Sequence, residues 1–425
     1  MPNVIDCLEE RGFIDAITSE ELHERAEKPM KVYMGFDPTA DSLHLGNLVG
    51  IMALGWMQKF GHTPIVLLGG ATGKIGDPSG KSIERPLLDE PTVLINMRRI
   101  QKHFERVLDF FNIHAKPLVL NNDEWLNKFS LIEFLRDVGK HFRVGPMLSK
   151  ESVRARFDSE EGISFTEFSY QVLQGYDFYH LHSNYGVCLQ MGGSDQWGNI
   201  TAGLELIRKI SGTSVYGLTW PLLTRSDGKK FGKSEEGAIW LAEDRCSVYD
   251  FYQYLVRVPD ADVIKLMRML TFMDMAEIKD YEARMNSKDY IPNTAQKRLA
   301  EEVTRMMHGE DGLETALRVT GGAAPGAKTV LNVDMLQEIE QDMPHVKLIS
   351  EEVLGQKFVD VASKIGFLAS KGEAVRLIKN GGAYLNNEKI EDPNLCFGAE
   401  HLIGGKYLLL GMGKKKKMLI SLAHM

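Results

Sequence analysis

Two distant stretches of this 425-residue chain carry groups of the kind that can hold a phosphate: a histidine at an expected helix start, and lysines between glycines. In Lys31 to Met57, KVYMGFDPTADSLHLGNLVGIMALGWM, an apolar run breaks at Asp37-Pro38 and restarts with helical spacing after Ser42. The pattern predicts a strand, a tight turn and a buried helix. Pro38 keeps Asp37 out of the helical region, and Ser42 is the candidate N-cap. Leu43, His44 and Gly46 then fall in the first turn. Unpaired N–H groups and the positive end of the helix dipole favour an anion there, Gly46 admits a ligand to the backbone, and His44 adds a donor. A capped helix with a chance histidine is the plain alternative. The second stretch, Asp227-Gly-Lys-Lys-Phe-Gly-Lys-Ser234, shifts the balance, because its composition is that of a mobile, cation-bearing loop.

Other polar residues fall at telling places. Tyr170, Gln174 and Asp177 are spaced by four and three, so they share one helix face, a costly set to bury for packing alone. A solvated face is the plain alternative. Asp195 follows Gly192-Gly193 at a predicted helix start, where it can accept hydrogen bonds from sugar hydroxyls or serve as a cap. Joining a carboxylic acid to a nucleotide's α-phosphate needs no nucleophilic side chain, since the carboxylate attacks and pyrophosphate leaves. The protein has to align both and offset charge on the phosphate oxygens. No serine–histidine–aspartate set, acid dyad or paired Cys/His ligands compete with this chemistry.

The elements that must position these residues read as a doubly wound α/β fold. Pro64-Ile-Val-Leu-Leu68 and Val187-Cys-Leu-Gln-Met191 are candidate buried parallel strands ending in glycines, and Lys116 to Leu120 is a third, ending at Asn121-Asn122-Asp123. Ligands in such sheets lie beyond the strand C-termini. Residues 91–112 and 125–174 read as helical, the latter broken near 158–162. Expected domains are 1–245 with the lysine loop at 225–236, an all-helical 246–320, a glycine-rich linker at 321–333 and a small α+β domain at 334–425. Lys414 to Lys417 reads as the basic tip of a hairpin.

Composition sets limits. Hydrophobic content of 44% with 25% charge is that of a soluble globular protein, and no apolar run approaches the roughly 20 residues that cross a bilayer. Acids near the N-terminus read as an amphipathic helix and not an export signal, so the cytoplasm is expected. Four scattered cysteines argue against a zinc site or disulfide framework. The net charge of −8 sits awkwardly with nucleic acid, although Lys371, Arg376 and Lys379 allow a local basic face.

His44-Leu-Gly-Asn47 and Lys230-Phe-Gly-Lys-Ser234 resemble the paired signatures of class I aminoacyl-tRNA synthetases. Together with YMGFDPTADSLHLGN, GGATGKIGDPSG, GISFTEFSY, QGYDF and QMGGSDQWGN in order, the chain resembles the bacterial-type tyrosyl-tRNA synthetase family. The resemblance implies activation of L-tyrosine by ATP and transfer to tRNA(Tyr), Mg2+ carried by the nucleotide, no protein-bound metal, and a homodimer with Phe165 near its seam. It assigns the phenol to Tyr33 and Asp177, the ammonium to Asp77, Tyr170 and Gln174, and the rest of the tyrosine pocket to Gly35, Gln190 and Gln196. It places Asp37, Thr39, His44, Gly46, Gly193, Asp195, Leu222 and Leu223 about ATP. Asn47, Lys81, Arg85, Lys230, Lys233 and Ser234 join His44 in catalysis, with Lys233 also holding ATP. Arg208 and Lys209 fall to the tRNA acceptor stem, the helical segment to the anticodon region, and Lys371, Arg376 and Lys379 to RNA phosphate on a fold shared with a ribosomal small-subunit protein.

Three positions depart from the family's pattern. Asn47 replaces a second histidine, Met34 is large beside the ligand, and Gly50 has no side chain to reach the ribose. The nearest rival is the tryptophanyl-tRNA synthetases, but an indole offers only a donor where Asp177 and Tyr33 suit a hydroxyl. A nucleotidyltransferase would lack the RNA-binding tail. A catalytically silent RNA-binding relative would have lost His44 or the loop lysines.

Overall fold

The computed structural model describes residues 3–79, 87–157, 162–228, 230–234, 237–322, 331–340, 343–413 and 416–423. Six strands form the first sheet: β1 (Ala16–Ile17), β2 (Lys31–Phe36), β3 (Thr63–Leu68), β4 (Leu118–Asn121), β5 (Val187–Gly193) and β6 (Tyr216–Trp220). Their order is β1-β6-β5-β2-β3-β4, all parallel except β1, which runs antiparallel to β6. From β2 the sheet grows through β3 and β4 on one side and through β5 and β6 on the other. That reversal opens a crevice beyond the C-terminal ends of β2 and β5.

The helix Leu45–Lys59 is buried from Leu48 to Gln58, as its unbroken apolar sequence requires. The next helix, Glu90–Phe104, is shorter than the 91–112 expected. Gln58 explains the early end. Its amide accepts from the Asp109 N–H at 2.9 Å and donates to the carbonyls of Asp109 and Ala115, so the chain there bonds to a side chain in place of a helical ladder. The helix Phe165–Tyr185 starts at Ser164, whose hydroxyl accepts from the Glu167 N–H, and stops at left-handed Gly186. It packs on Trp197–Ser211 at Gly203, where a Cβ would stand 2.9 Å from Phe178.

The chain divides into two compact units, residues 1–242 with 259–295, and residues 243–258 with 296–425. The stretch expected to form one helical segment is therefore shared between them. Asp260–Leu270 and Met275–Met285 belong to the first unit, where Phe272 packs edge-on against Trp56 at 5.1 Å. The Arg11 guanidinium donates to the carbonyls of Arg268 and Thr271. Val248–Val256 and most of Thr294–Gly322, interrupted at Gly309 with φ of 78°, belong to the second.

The lysine loop carries β7 (Lys233–Ser234) and β8 (Gly237–Ala238). In the second unit β9 (His345–Ile349), β10 (Ala383–Leu385), β11 (Glu388–Lys389), β12 (Tyr407–Met412) and β13 (Lys416–Ala423) form a sheet in the order β11-β10-β12-β13-β9. Asn386 and Asn387, with φ of 50° and 67°, make the tight β10–β11 turn. The expected basic tip is corrected at Lys417. It lies in β13 opposite Gly411, 2% exposed, and burial lowers its ammonium pKa to about 8. Lys414 and Lys415 lie outside the described residues.

Candidate active site

The crevice is a cavity of about 560 Å³ in the first unit. Every residue assigned above to tyrosine or to ATP lines it, together with Asn47 and Lys230. Tyr33 stands at the middle of β2, paired with Ile65 on β3 and Gln190 on β5, so the centre of the sheet delivers it to the switch point. Its ring is fully buried and packs against Phe178 at 5.2 Å, while its hydroxyl has no hydrogen-bond partner. Burial and the nearby Asp177 charge push the Tyr33 pKa well above its usual value.

Asp177 is 2% exposed. Its carboxylate accepts from Asn122 Nδ2 at 2.9 Å and from Trp125 Nε1 at 2.7 Å. Burial outweighs these bonds and raises its pKa from 3.8 to about 7. The network continues through Thr72, which accepts from Asn122 at 2.9 Å and donates to Asp37 at 2.7 Å. The Tyr170 hydroxyl donates to the other Asp37 oxygen at 2.7 Å. Asp77 accepts from Gln196 Nε2 at 2.7 Å and from the Ser79 N–H at 2.9 Å, and Gln174 donates to Gln196 at 3.3 Å. Asp195 has its pKa raised, first by burial and then by Asp77.

At the other end, the helix begins two residues later than Ser42 suggested. His44 is the N-cap residue, and its N–H donates to the Asn47 side-chain oxygen at 3.0 Å. Ser42 accepts from the Ala242 N–H instead, because residues 43–45 pair with 239–241. Asn47 thus closes the helix mouth from the side. The lysine loop lies directly on it. Gly232, with φ of 79°, comes so near that a Cβ would stand 2.8 Å from the Gly46 nitrogen, and Lys230 and Lys233 both line the cavity. Gly50 and Met34 explain each other, since a Cβ at residue 50 would meet the Met34 sulfur and terminal methyl at 2.5 Å. The methionine fills the space that the glycine leaves.

Residues 25–321 match the family described as tRNA synthetases class I (W and Y), which spans both the tyrosine and tryptophan enzymes. Residues 334–420 match the tyrosine–tRNA ligase SYY-like C-terminal domain. A tyrosine–tRNA ligase of Protochlamydia amoebophila (strain UWE25) is 59% identical over 422 residues, 99% of each chain. The chain belongs to the tyrosine–tRNA ligase family. The chloroplastic/mitochondrial tyrosine–tRNA ligase of Arabidopsis thaliana is 48% identical over 99% of this chain and 84% of that one. A C-terminally truncated mitochondrial tyrosyl-tRNA synthetase of Aspergillus nidulans superposes with a TM-score of 0.67 at 32% identity, over 74% of this chain and 92% of that one. The Plasmodium falciparum tryptophanyl-tRNA synthetase, at 13% identity and a TM-score of 0.54 over 73% of this chain and 84% of that one, shares the fold. This chain is thus an aminoacyl-tRNA synthetase of class I.

Several parts of this tyrosine–tRNA ligase were not legible as site residues in sequence. Thr72, Asn122 and Trp125 set the Asp177–Asp37 network; Thr72 falls within the GGATGKIGDPSG segment and Asn122 at a strand end, while nothing in the sequence pointed to Trp125. Lys81 and Arg85 lie outside the described residues, as does the side chain of Ser234. Arg208 and Lys209 are exposed at the end of their helix, with Lys209 donating to the His141 carbonyl at 2.8 Å. Lys371, Arg376 and Lys379 are exposed along the helix Lys371–Lys379, Lys371 paired with Asp360 at 2.7 Å. Among the described residues no metal-binding group of His, Cys, Asp or Glu occurs, and no helix is long and apolar enough to cross a membrane.

Proposed function

We propose that the cavity holds L-tyrosine at the Tyr33–Asp177 end and ATP at the helix mouth, and that the residues assigned above perform tyrosyl-adenylate formation. The observation that carries this reading is the Tyr33 hydroxyl, buried without a partner and under the electrostatic influence of the buried Asp177 carboxylate. A phenol satisfies both: it donates to Asp177 and accepts from Tyr33. Phenylalanine leaves the Tyr33 hydroxyl without a partner and Asp177 with only its two protein donors, at about 1–3 kcal/mol for a buried group left unsatisfied. The ammonium lies by Asp77, Tyr170 and Gln174, with Gly35, Gln190 and Gln196 closing the pocket.

Tyrosine's carboxylate oxygen then attacks the α-phosphorus of ATP, the bond to the pyrophosphate oxygen breaks, and pyrophosphate leaves. Asp37, Gly193, Asp195, Leu222 and Leu223 hold the nucleoside, and Thr39, His44, Asn47 and the Gly46 backbone face its phosphates. Lys230 and Lys233 offset the charge that builds as pyrophosphate departs, and Lys81, Arg85 and Ser234 belong to the same task. Mg2+ arrives with the nucleotide. A hydroxyl at the 3′ end of tRNA(Tyr) then attacks the tyrosyl carbonyl carbon, the bond to the phosphate oxygen breaks, and AMP leaves.

Arg208 and Lys209 meet the acceptor stem, the helices of 246–320 the anticodon region, and Arg376 and Lys379 with Lys371 bind RNA phosphate. Exposed Leu131, Ile132, Leu135, Val144 and Phe165 support a homodimer seam, which sedimentation of the full chain tests. The cysteines are unpaired in disulfides, in keeping with a cytoplasmic site of action. Pyrophosphate exchange into ATP across all twenty amino acids tests the substrate reading. Exchange with tyrosine and not with tryptophan or phenylalanine is expected, and the reverse preference overturns it.

A further inference from the structure

Asp262 is a carboxylate with no evident place in the site, yet it is 8% exposed and engaged. It lies in the first turn of the helix Asp260–Leu270, but it does not cap its own helix. Both its oxygens stand 3.0 Å from the Ser226 N–H, and one accepts from the Ser226 hydroxyl at 3.2 Å. Ser226 is at the exposed end of the lysine loop, in a turn where the Gly228 N–H donates to the Arg225 carbonyl at 2.9 Å. Holding a nearly buried charge on an exposed turn is costly unless the hydrogen bonds are good, and here they are charge-assisted.

From that turn a continuous set of bonds runs to the helix mouth. Thr224 pairs with Lys230 across the turn, the Phe231 N–H donates to the Leu223 carbonyl at 3.0 Å, and the Gly232 carbonyl accepts from Ile239 at 2.9 Å. Gly232 then rests on Gly46. Just beyond the helix bearing Asp262, which ends at Leu270, Phe272 packs on Trp56 of Leu45–Lys59. Both ends of the loop are therefore referenced to the one helix whose mouth the lysines face.

We propose that Asp262 is a positioning residue for tyrosine activation: by fixing Ser226 it sets where Lys230 and Lys233 stand over the helix mouth. The proposal rests on the role given to Lys233 above. It acts through the loop, since Asp262 is not among the residues lining the cavity. A loop with its outer end released still forms, but it spends less of its time with both ammonium groups in place.

The test uses the full chain with tyrosine and ATP, measuring single-turnover adenylate formation and, separately, equilibrium binding of tyrosine. Asp262→Ala is expected to slow adenylate formation about tenfold and to leave tyrosine affinity within about twofold. Asp262→Asn, whose side-chain oxygen still accepts from Ser226, is expected to restore most of the rate. Ser226→Pro removes the N–H from the exposed side of the bond and is expected to reproduce the alanine result, which covers the case of a poorly folding Asp262 variant. In a background lacking both ammonium groups, Lys230→Ala with Lys233→Ala, Asp262→Ala is expected to add less than about twofold, because the groups it positions are gone. An unchanged rate in Asp262→Ala, an equal loss of tyrosine affinity, or a full tenfold effect persisting without both Lys230 and Lys233 overturns the proposal. Lys233→Ala with normal adenylate formation would sink the loop's catalytic role instead.

Discussion

At the proposed tyrosine end of the cavity Tyr33 and Asp177 are at most 2% exposed, and Asp177 sits in a network running through Asn122, Trp125, Thr72, Asp37 and Tyr170, whereas at the proposed phosphate end Lys230 and Lys233 are solvent-exposed on a loop. The first end is fixed before substrate arrives, which suits it to choosing an amino acid. Its buried polar groups penalise any ligand that cannot complete them. The second end carries its charge on side chains that retain freedom, so their contacts can be stronger in the transition state than with bound substrate. On the proposed assignment, selection falls to a hydrogen-bonded wall and acceleration to an exposed one.

The sharpest way to break this contrast is Lys233→Ala, expected to slow adenylate formation by about 10²–10³-fold, as for loss of a transition-state donor, with tyrosine affinity nearly unchanged. Single-turnover kinetics beside equilibrium binding reads both. Asp177→Ala should do the opposite, weakening tyrosine binding by about 3 kcal/mol, since the buried phenol loses its charged acceptor, while the lost bonds from Asn122 and Trp125 lower stability. Calorimetric titration measures it. Tyr33→Phe is milder, about 1 kcal/mol against tyrosine, and it should improve phenylalanine binding because the orphaned hydroxyl is gone.

The pH dependence sharpens the same contrast. Burial raises the Asp177 pKa from 3.8 to about 7, so between those values the folded chain holds a proton that the unfolded chain has released. Its stabilising contribution is full below the ordinary aspartate range and is lost as pH rises through about 7. Tyrosine binding runs the other way, because the ionised carboxylate is the better acceptor for the phenol. Affinity is expected to rise with pH through about 7, and Asp177→Asn is expected to flatten both trends. The smallest effect concerns nucleotide fit. Gly50→Ser should crowd Met34 and cost about 1 kcal/mol in ATP-dependent activation, and pairing it with Met34→Ala should recover most of that.

Much of the fold was legible because its signals are local. The helix Leu45–Lys59 is apolar on every side, β3 is a continuous apolar run, and Asn386-Asn387 has the composition of a tight turn. What escaped depends on contacts distant in sequence. Nothing near Ser42 reveals that residues 239–241 pair with 43–45 and move the cap to His44, and nothing near Glu90 shows that Gln58 ends that helix early. β9 was missed because its partner, β13, lies at the far end of the chain. Met34 and Gly50 looked like separate oddities, and only space shows that they are one accommodation.

The division of labour is tested most directly by measuring, for Tyr33→Phe and Lys233→Ala side by side, equilibrium tyrosine affinity and the rate of tyrosyl-adenylate formation at saturating tyrosine. Tyr33→Phe should shift the affinity and leave the saturated rate within a few-fold, and Lys233→Ala should shift the rate and leave the affinity alone. Two variants that each lower affinity and rate by the same factor would contradict a site whose two ends do different work.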